Sequence, residues 1–166
     1  MDVQTLATVA NLLSVARRCT RAQAGTVYRR EAQGLGFLIT QNDTLAQSVG
    51  HAAAADLLTR IPLRWNEPSV AMYVALTGMT LDIADAYAIP ADKPYSFDPR
   101  IDAHSGFRTV SMLVVPLRSP IDGVLQLINA TNDQGDVVPF SCDAELAVRE
   151  LVSLESEASP RLDGPA

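Results

Sequence analysis

Near the start of the chain, apolar residues recur at three- and four-residue steps: Leu6, Val9, Leu12, Leu13 and Ala16. That spacing lines one face of a helix and predicts one over residues 3–20. Arg17, Arg18 and Arg21 crowd its end, where positive charge complements the helix dipole. Next come two short runs, residues 26–30 and 35–40, rich in β-branched, aromatic and aliphatic side chains around a Gly-containing turn. They read as a β-hairpin in which Leu35, Phe37 and Ile39 share one face, because side chains alternate along a strand. The alanine-rich stretch 51–58 favours a helical segment. The sequence Asn66-Glu67-Pro68-Ser69 reads as a second helix start, with Gly78 as its stop.

Residues 80–83 predict a short strand at or near a sheet edge. Residues 84–107 hold Pro90, Pro94 and Pro99 together with Tyr87, Tyr95, Phe97 and Phe107, which predicts a long, irregular connection of the kind that carries function. The two most apolar runs, 110–117 and 123–130, read as central antiparallel strands covered on both faces. A final helix over 141–157 has Ser141 as N-cap and Asp143 and Glu145 in its first turn. Residues 159–166 read as a flexible tail, after which an output domain could follow. The expected fold class is α+β, an antiparallel sheet with helices packed on it, forming one domain over residues 1–158.

Composition narrows the function. The chain has 166 residues, 48% of them hydrophobic, and 13 Lys/Arg against 19 Asp/Glu give a net charge of −6. An acidic surface repels phosphate backbones, so nucleic acid is not an expected partner. No run of apolar residues is long enough to span a bilayer, and the start lacks a basic segment followed by an apolar one. The expectation is a cytoplasmic protein with no membrane contact. Cys19 and Cys142 are the only cysteines. Their spacing implies neither a disulfide framework nor a zinc site, and Cys142 is expected as a small buried hydrophobe.

Four strings carry a resemblance: Gly36-Phe37-Leu38-Ile39-Thr40-Gln41-Asn42-Asp43-Thr44-Leu45, the stretch Ser69 to Gly78, the stretch Leu81 to Tyr87, and the stretch Gly106 to Leu117 running on into Gly123 to Asn129. With the order of elements they resemble a GAF domain, of the bacterial regulatory type found beside HD-GYP phosphodiesterases, cyclases and sensor kinases. The resemblance implies a six-stranded antiparallel sheet with helices on both faces, and first and last helices that pack together and pair two protomers. It also implies a small-molecule pocket between the sheet and a cover, here residues 84–107. Members of the family bind cyclic nucleotides, bilins, haem, 2-oxoglutarate or nitrate, and usually control a catalytic partner. One family signature for cyclic nucleotides matches at Asn129, Phe140 and Glu145. Its Lys and Asp positions are Ala130 and Ala144, so the ion pair that the signature supplies cannot form.

The candidate ligand-binding set is Phe37, Asp85, Tyr87, Phe107, Arg108, Thr109, Ser111 and Asn129. Tyr87, Phe97 and Phe107 could stack a planar ligand or plug the core beneath the cover. Thr109, Ser111 and Asn129 are polar positions on apolar strands, and each needs a ligand, a water or a protein partner if buried. Arg108 offers a guanidinium fork to an anion, with surface charge as its alternative role. Asp82, Asp85, Asp92, Asp98 and Asp102 read mainly as turn caps. No catalytic or metal-binding constellation emerges from His51 and His104, and the sequence names no cofactor. The expected function is a non-catalytic regulatory sensor of a small molecule, a cyclic nucleotide among the candidates, signalling through a helix-mediated homodimer. The alternatives are a dimerisation module with a filled pocket and, last, a thiol-dependent methionine sulfoxide reductase.

Overall fold

A computed structural model describes residues 1–43, 46–47 and 63–158; the alanine-rich stretch, His51 and the tail lie outside them. Helix α1 (Val3–Thr20) starts at Asp2, whose carboxylate accepts a hydrogen bond from the Thr5 amide. It ends at Arg21, which turns into the left-handed region (φ 53°). Strands β1 (Ala22–Glu31) and β2 (Gly34–Asn42) form the hairpin. After β3 (Leu63–Arg64) comes α2 (Val70–Thr77), capped by the Ser69 hydroxyl and stopped by Gly78 at φ 71°. Then follow β4 (Leu81–Ile83), a single 3-10 turn (Ala86–Ala88) and a short α3 (Arg100–Ser105). Strands β5 (Met112–Leu117), β6 (Gly123–Thr131) and β7 (Val137–Val138) precede α4 (Cys142–Ala158).

The strands pair antiparallel in the order β3-β2-β1-β6-β5-β4, with β7 added beside the end of β6. This is the expected α+β sheet, and the expected edge strand is β4. The 3-10 turn, α3 and β7 are elements that the residue pattern does not announce. Each is too short to build a period.

Alternation along the central strands feeds two cores. Leu113, Val115, Leu125 and Leu127 point toward α1 and α4 and meet Val9, Leu12, Leu13, Val148 and Val152. Met112, Val114 and Val124 point the other way, toward α2 and the 84–107 segment. One sequence expectation fails here. Val27 pairs with Ile39 but Tyr28 pairs with Phe37, so Leu38 is an extra residue in β2. This bulge resets the alternation. Leu35 and Phe37 stay on the α2 side, while Ile39 packs with Leu38 against the core under α1 and α4.

Two close approaches fix the layers. A Cβ on Gly25 would come within 2.7 Å of the Leu13 side chain, so α1 rests directly on β1. A Cβ on Gly123 would fall 2.0 Å from the Tyr28 carbonyl oxygen, and backbone cannot yield there as a side-chain tip could. Gly123→Ala is expected to cost about 3 kcal/mol by overpacking, a fall in Tm of roughly 6–12 °C for a domain of this size, readable by calorimetry.

Asp82 on β4 feels partial burial first and then the nearby Glu145 carboxylate, and both raise its pKa. A raised acid weighs against the fold while both folded and unfolded forms are ionised, and ceases to once both are protonated. Asp82→Asn is therefore expected to raise Tm at neutral pH, with the gain shrinking as pH falls through the folded pKa toward the ordinary carboxylate value. Melting curves across that range check the sign.

Candidate functional site

The segment 84–107 lies over the α2 side of the sheet and is tied down at several points. The Ser96 amide donates to the Pro68 carbonyl, 2.5 Å away, and Ser69 and Ser96 form a parallel bridge. The Ala86 amide donates to the Val110 carbonyl at 2.7 Å. Tyr95 packs on Tyr73 of α2, ring centroids 5.0 Å apart, and Phe97 packs on Tyr87 at 5.1 Å. Ile89, Tyr95 and Phe97 all rest against the core on this side. Between this segment and the start of α2 lies an open cleft of about 330 Å³, lined by Leu63, Pro68, Phe97, Pro99 and Arg100 among others.

Asp102 of α3 organises the cover. It is 7% exposed, and its carboxylate accepts three hydrogen bonds: from the Tyr87 hydroxyl (2.8 Å), the Thr109 amide (2.7 Å) and the Thr109 hydroxyl (2.9 Å). One buried carboxylate thus joins the 3-10 turn, α3 and the lead into β5. Its hydrogen bond also raises the Tyr87 phenol pKa. The sequence reading takes Asp102 for a turn cap like its neighbours. Asp85 and Asp98 do cap turns, accepting from the Tyr87 and Arg100 amides. Among these loop aspartates only Asp102 is buried, and no spacing rule marks which of several will be.

The predicted residues fall into three groups. Asp85, Tyr87 and Arg108 are exposed together on the cover, with the Arg108 guanidinium 4.2 Å from the centre of the Tyr87 ring. That stack holds the fork in place, and among the described residues no carboxylate forms a salt bridge with it. Phe107 is buried, and Phe97 is half-buried against the core on the cover side. Phe37 sits on the same side of the sheet against Tyr28, at 4.8 Å.

Thr109, Ser111 and Asn129 are buried, and each finds partners within the chain. Ser111 donates to the Val138 carbonyl at 2.7 Å. The Asn129 side chain accepts from the Val110 amide (2.7 Å) and donates to the Arg108 carbonyl (2.7 Å) and to Gln23 (3.1 Å). His104 falls on α3.

Sequence reasoning missed a polar layer on the sheet. Thr26, Tyr28 and Gln126 are buried on the α2 side; Thr26 lies 3.1 Å from the Thr40 hydroxyl, and Gln126 pairs across from Thr26. Burial pushes the Tyr28 phenol pKa well up, against hydrogen bonds to Thr26 and Gln126. The signal that could have found them is alternation: in β6 the even positions 124 and 126 face the cover while Leu125 and Leu127 do not. A second expectation fails at Cys142, which is exposed at the start of α4 and not buried. Among the described residues no three His, Cys, Asp or Glu side chains gather where they could hold a metal ion. No described helix is long and apolar enough to cross a membrane.

A curled antiparallel sheet between paired terminal helices and an aromatic-lined cover defines a class of small α+β domains. The family model for the GAF domain matches residues 4–154, and the chain belongs to that family, whose members are typically regulatory or sensory modules that bind small molecules. Among solved structures the fold is similar to a GAF domain/HD domain protein from Geobacter sulfurreducens, at 16% identity and a TM-score of 0.67, covering 92% of this chain and 90% of that one. It is similar to a GAF domain in its photoproduct state from Synechocystis, at 16% identity, a TM-score of 0.62 and 92% coverage of both chains. A type II free methionine-R-sulfoxide reductase from Thermoplasma acidophilum shares the fold at 14% identity and a TM-score of 0.59, covering 95% of this chain and 94% of that one.

Removing the Asp102 carboxylate strands three donors, two of them on the buried Thr109. Asp102→Ala is expected to cost about 3 kcal/mol, whereas Tyr87→Phe, at a half-exposed ring, costs under about 1 kcal/mol. Urea unfolding of the two variants side by side checks the ranking.

Proposed function

We propose that this GAF domain is a non-catalytic regulatory sensor, with its small-molecule site between the sheet and the 84–107 cover. The observation that carries the reading is the cover itself: an irregular, aromatic-rich segment fastened through one buried carboxylate, beside an open cleft. Tyr87 and Arg108 are the residues proposed for direct contact, with Asp85 beside them and Phe37 and Phe107 bounding the site. Thr109, Ser111 and Asn129 shape its wall.

Cyclic nucleotides are one ligand class to test, although two positions of their signature are core alanines here. Ala130 and Ala144 both pack in the core under α1 and α4, and Glu145 of that signature lies 3.4 Å from Arg149. Against a thiol-dependent reductase stands the position of the two cysteines. Both belong to the terminal helices, which cover the face of the sheet away from the cover.

The signalling partner proposed is a second copy of the chain, joined through those helices. Leu146 and Leu154 are 55% and 63% exposed about two turns apart on α4, on either side of a shallow groove with Arg149 and Ser153. On α1, Val3 and Leu6 are also exposed.

A thermal-shift panel of cyclic nucleotides, other nucleotides, nitrate and small organic acids tests the ligand reading. A ligand at about 100 times its Kd adds roughly 2.7 kcal/mol, a shift of several degrees. The same shift is expected to fall at least about tenfold in apparent affinity on Arg108→Ala, by loss of roughly 1.4 kcal/mol. An unchanged affinity in that variant and in Phe107→Ala would remove the site from the cover. Light scattering of Leu146→Asp/Leu154→Asp is expected to give monomer where the parent gives dimer.

A further inference from the structure

Among the described residues only two that are not glycine adopt a left-handed backbone, Arg21 at φ 53° and Asn129 at φ 59°. They are neighbours. Arg21 ends α1, and its carbonyl accepts from both the amide and the hydroxyl of Thr131, two residues beyond Asn129. Asn129 sits inside β6, where such a conformation persists only when its surroundings hold it. Ahead of it Leu125 and Leu127 face α1; beyond it Ala130 does. The kink therefore switches which side chains face α1 while the pairing with β1 keeps its register, Ala24 with Ile128 and Ala22 with Ala130.

What holds Asn129 is its side chain, which grips the cover's return on one side and the sheet's first strand on the other. It bonds the Val110 amide and the Arg108 carbonyl, while Asp102 bonds Thr109 between them. Strand and cover thus hold the same tripeptide, the strand at its two ends and the cover at its middle residue. The remaining Asn129 hydrogen donates to the Gln23 side chain. The Gln23 carbonyl in turn accepts from Arg17 of α1 at 2.8 Å. Arg17 is 10% exposed at its side chain and reaches on to Gln41 and Asp43.

We propose that Asn129 and Gln23 form a relay that couples the position of the 84–107 cover to the last turn of α1. The chain is short and crosses the sheet: Asp102, residues 108–110, Asn129, Gln23, Arg17. Loosening the cover frees two of the three side-chain bonds of Asn129 and leaves, besides the one to Gln23, only its amide on the Ser111 carbonyl; its relaxation then releases Gln23 and the end of the helix. Gln23 is a positioning residue in this scheme, touching no ligand. The inference rests on reading the cover as the ligand-responsive part, but its test needs no ligand.

Hydrogen exchange in a double-mutant cycle provides that test. Tyr87→Phe removes one bond from Asp102 at a half-exposed position, so it loosens the cover without unfolding the domain. It is expected to raise exchange at the amides of residues 17–20 about threefold, with residues 113–115 of β5 unchanged as the internal reference. In a Gln23→Ala background the same substitution is expected to leave residues 17–20 where that background already puts them. Gln23→Glu keeps an acceptor oxygen and is expected to restore the threefold response. An equal rise in the presence and absence of Gln23, or no rise in the parent, overturns the relay. A flat ligand panel with a positive cycle discards the proposed ligand site alone, and a responsive panel with a negative cycle discards the relay alone.

Discussion

Strand β6 is the constraint around which the molecule is arranged. Both of its edges are paired, to β1 and β5, and both of its faces are buried. A strand so placed cannot choose its side chains freely. Its odd positions belong to the helix side and its even positions to the cover side until Asn129 interrupts the count. The hairpin packs on one edge of it, the cover returns through β5 on the other, and β7 closes its end. Gly123 at its start is there because the Tyr28 carbonyl leaves no room for a side chain.

The polar groups of the interior follow from that constraint. A buried amide or carboxylate must find its partners inside the protein, and here they concentrate where irregular chain meets regular sheet. Asp102 and Asn129 are the two examples. Each spends nearly all its hydrogen-bonding capacity on backbone and side chains from separate segments. They convert a loop that could have been loose into a part with one preferred seat, with Tyr87 and Arg108 exposed beside it.

Much of this was legible in the residues. The period of α1, the hairpin, the start and stop of α2 and the two apolar strands all appear in the structure close to their expected positions, because each rests on local chemistry repeated over several residues. What escaped was non-local. The bulge at Leu38 arises from how β2 meets β1, and it overturned the placement of Ile39. The choice of Asp102 among several loop aspartates depends on which one folds inward. The three polar strand positions were visible as anomalies; Thr109 has its partner nearby in Asp102, but those of Ser111 and Asn129, namely Val138, Gln23 and the 108–110 backbone, lie far off in sequence.

The two ends of the sheet carry a further consequence. Its outermost strands are β3, of two residues, and β4, of three. Each offers a stray chain too few free amides and carbonyls to seed a growing ribbon, and β4 sets the exposed carboxylate of Asp82 in the middle of its rim. At the β4 border this discourages copies from stacking edge to edge. That protection is electrostatic in part, and acid that neutralises Asp82 weakens it while easing its partial desolvation and its repulsion from Glu145. The same proton that steadies the single molecule therefore makes a crowd of them less well behaved.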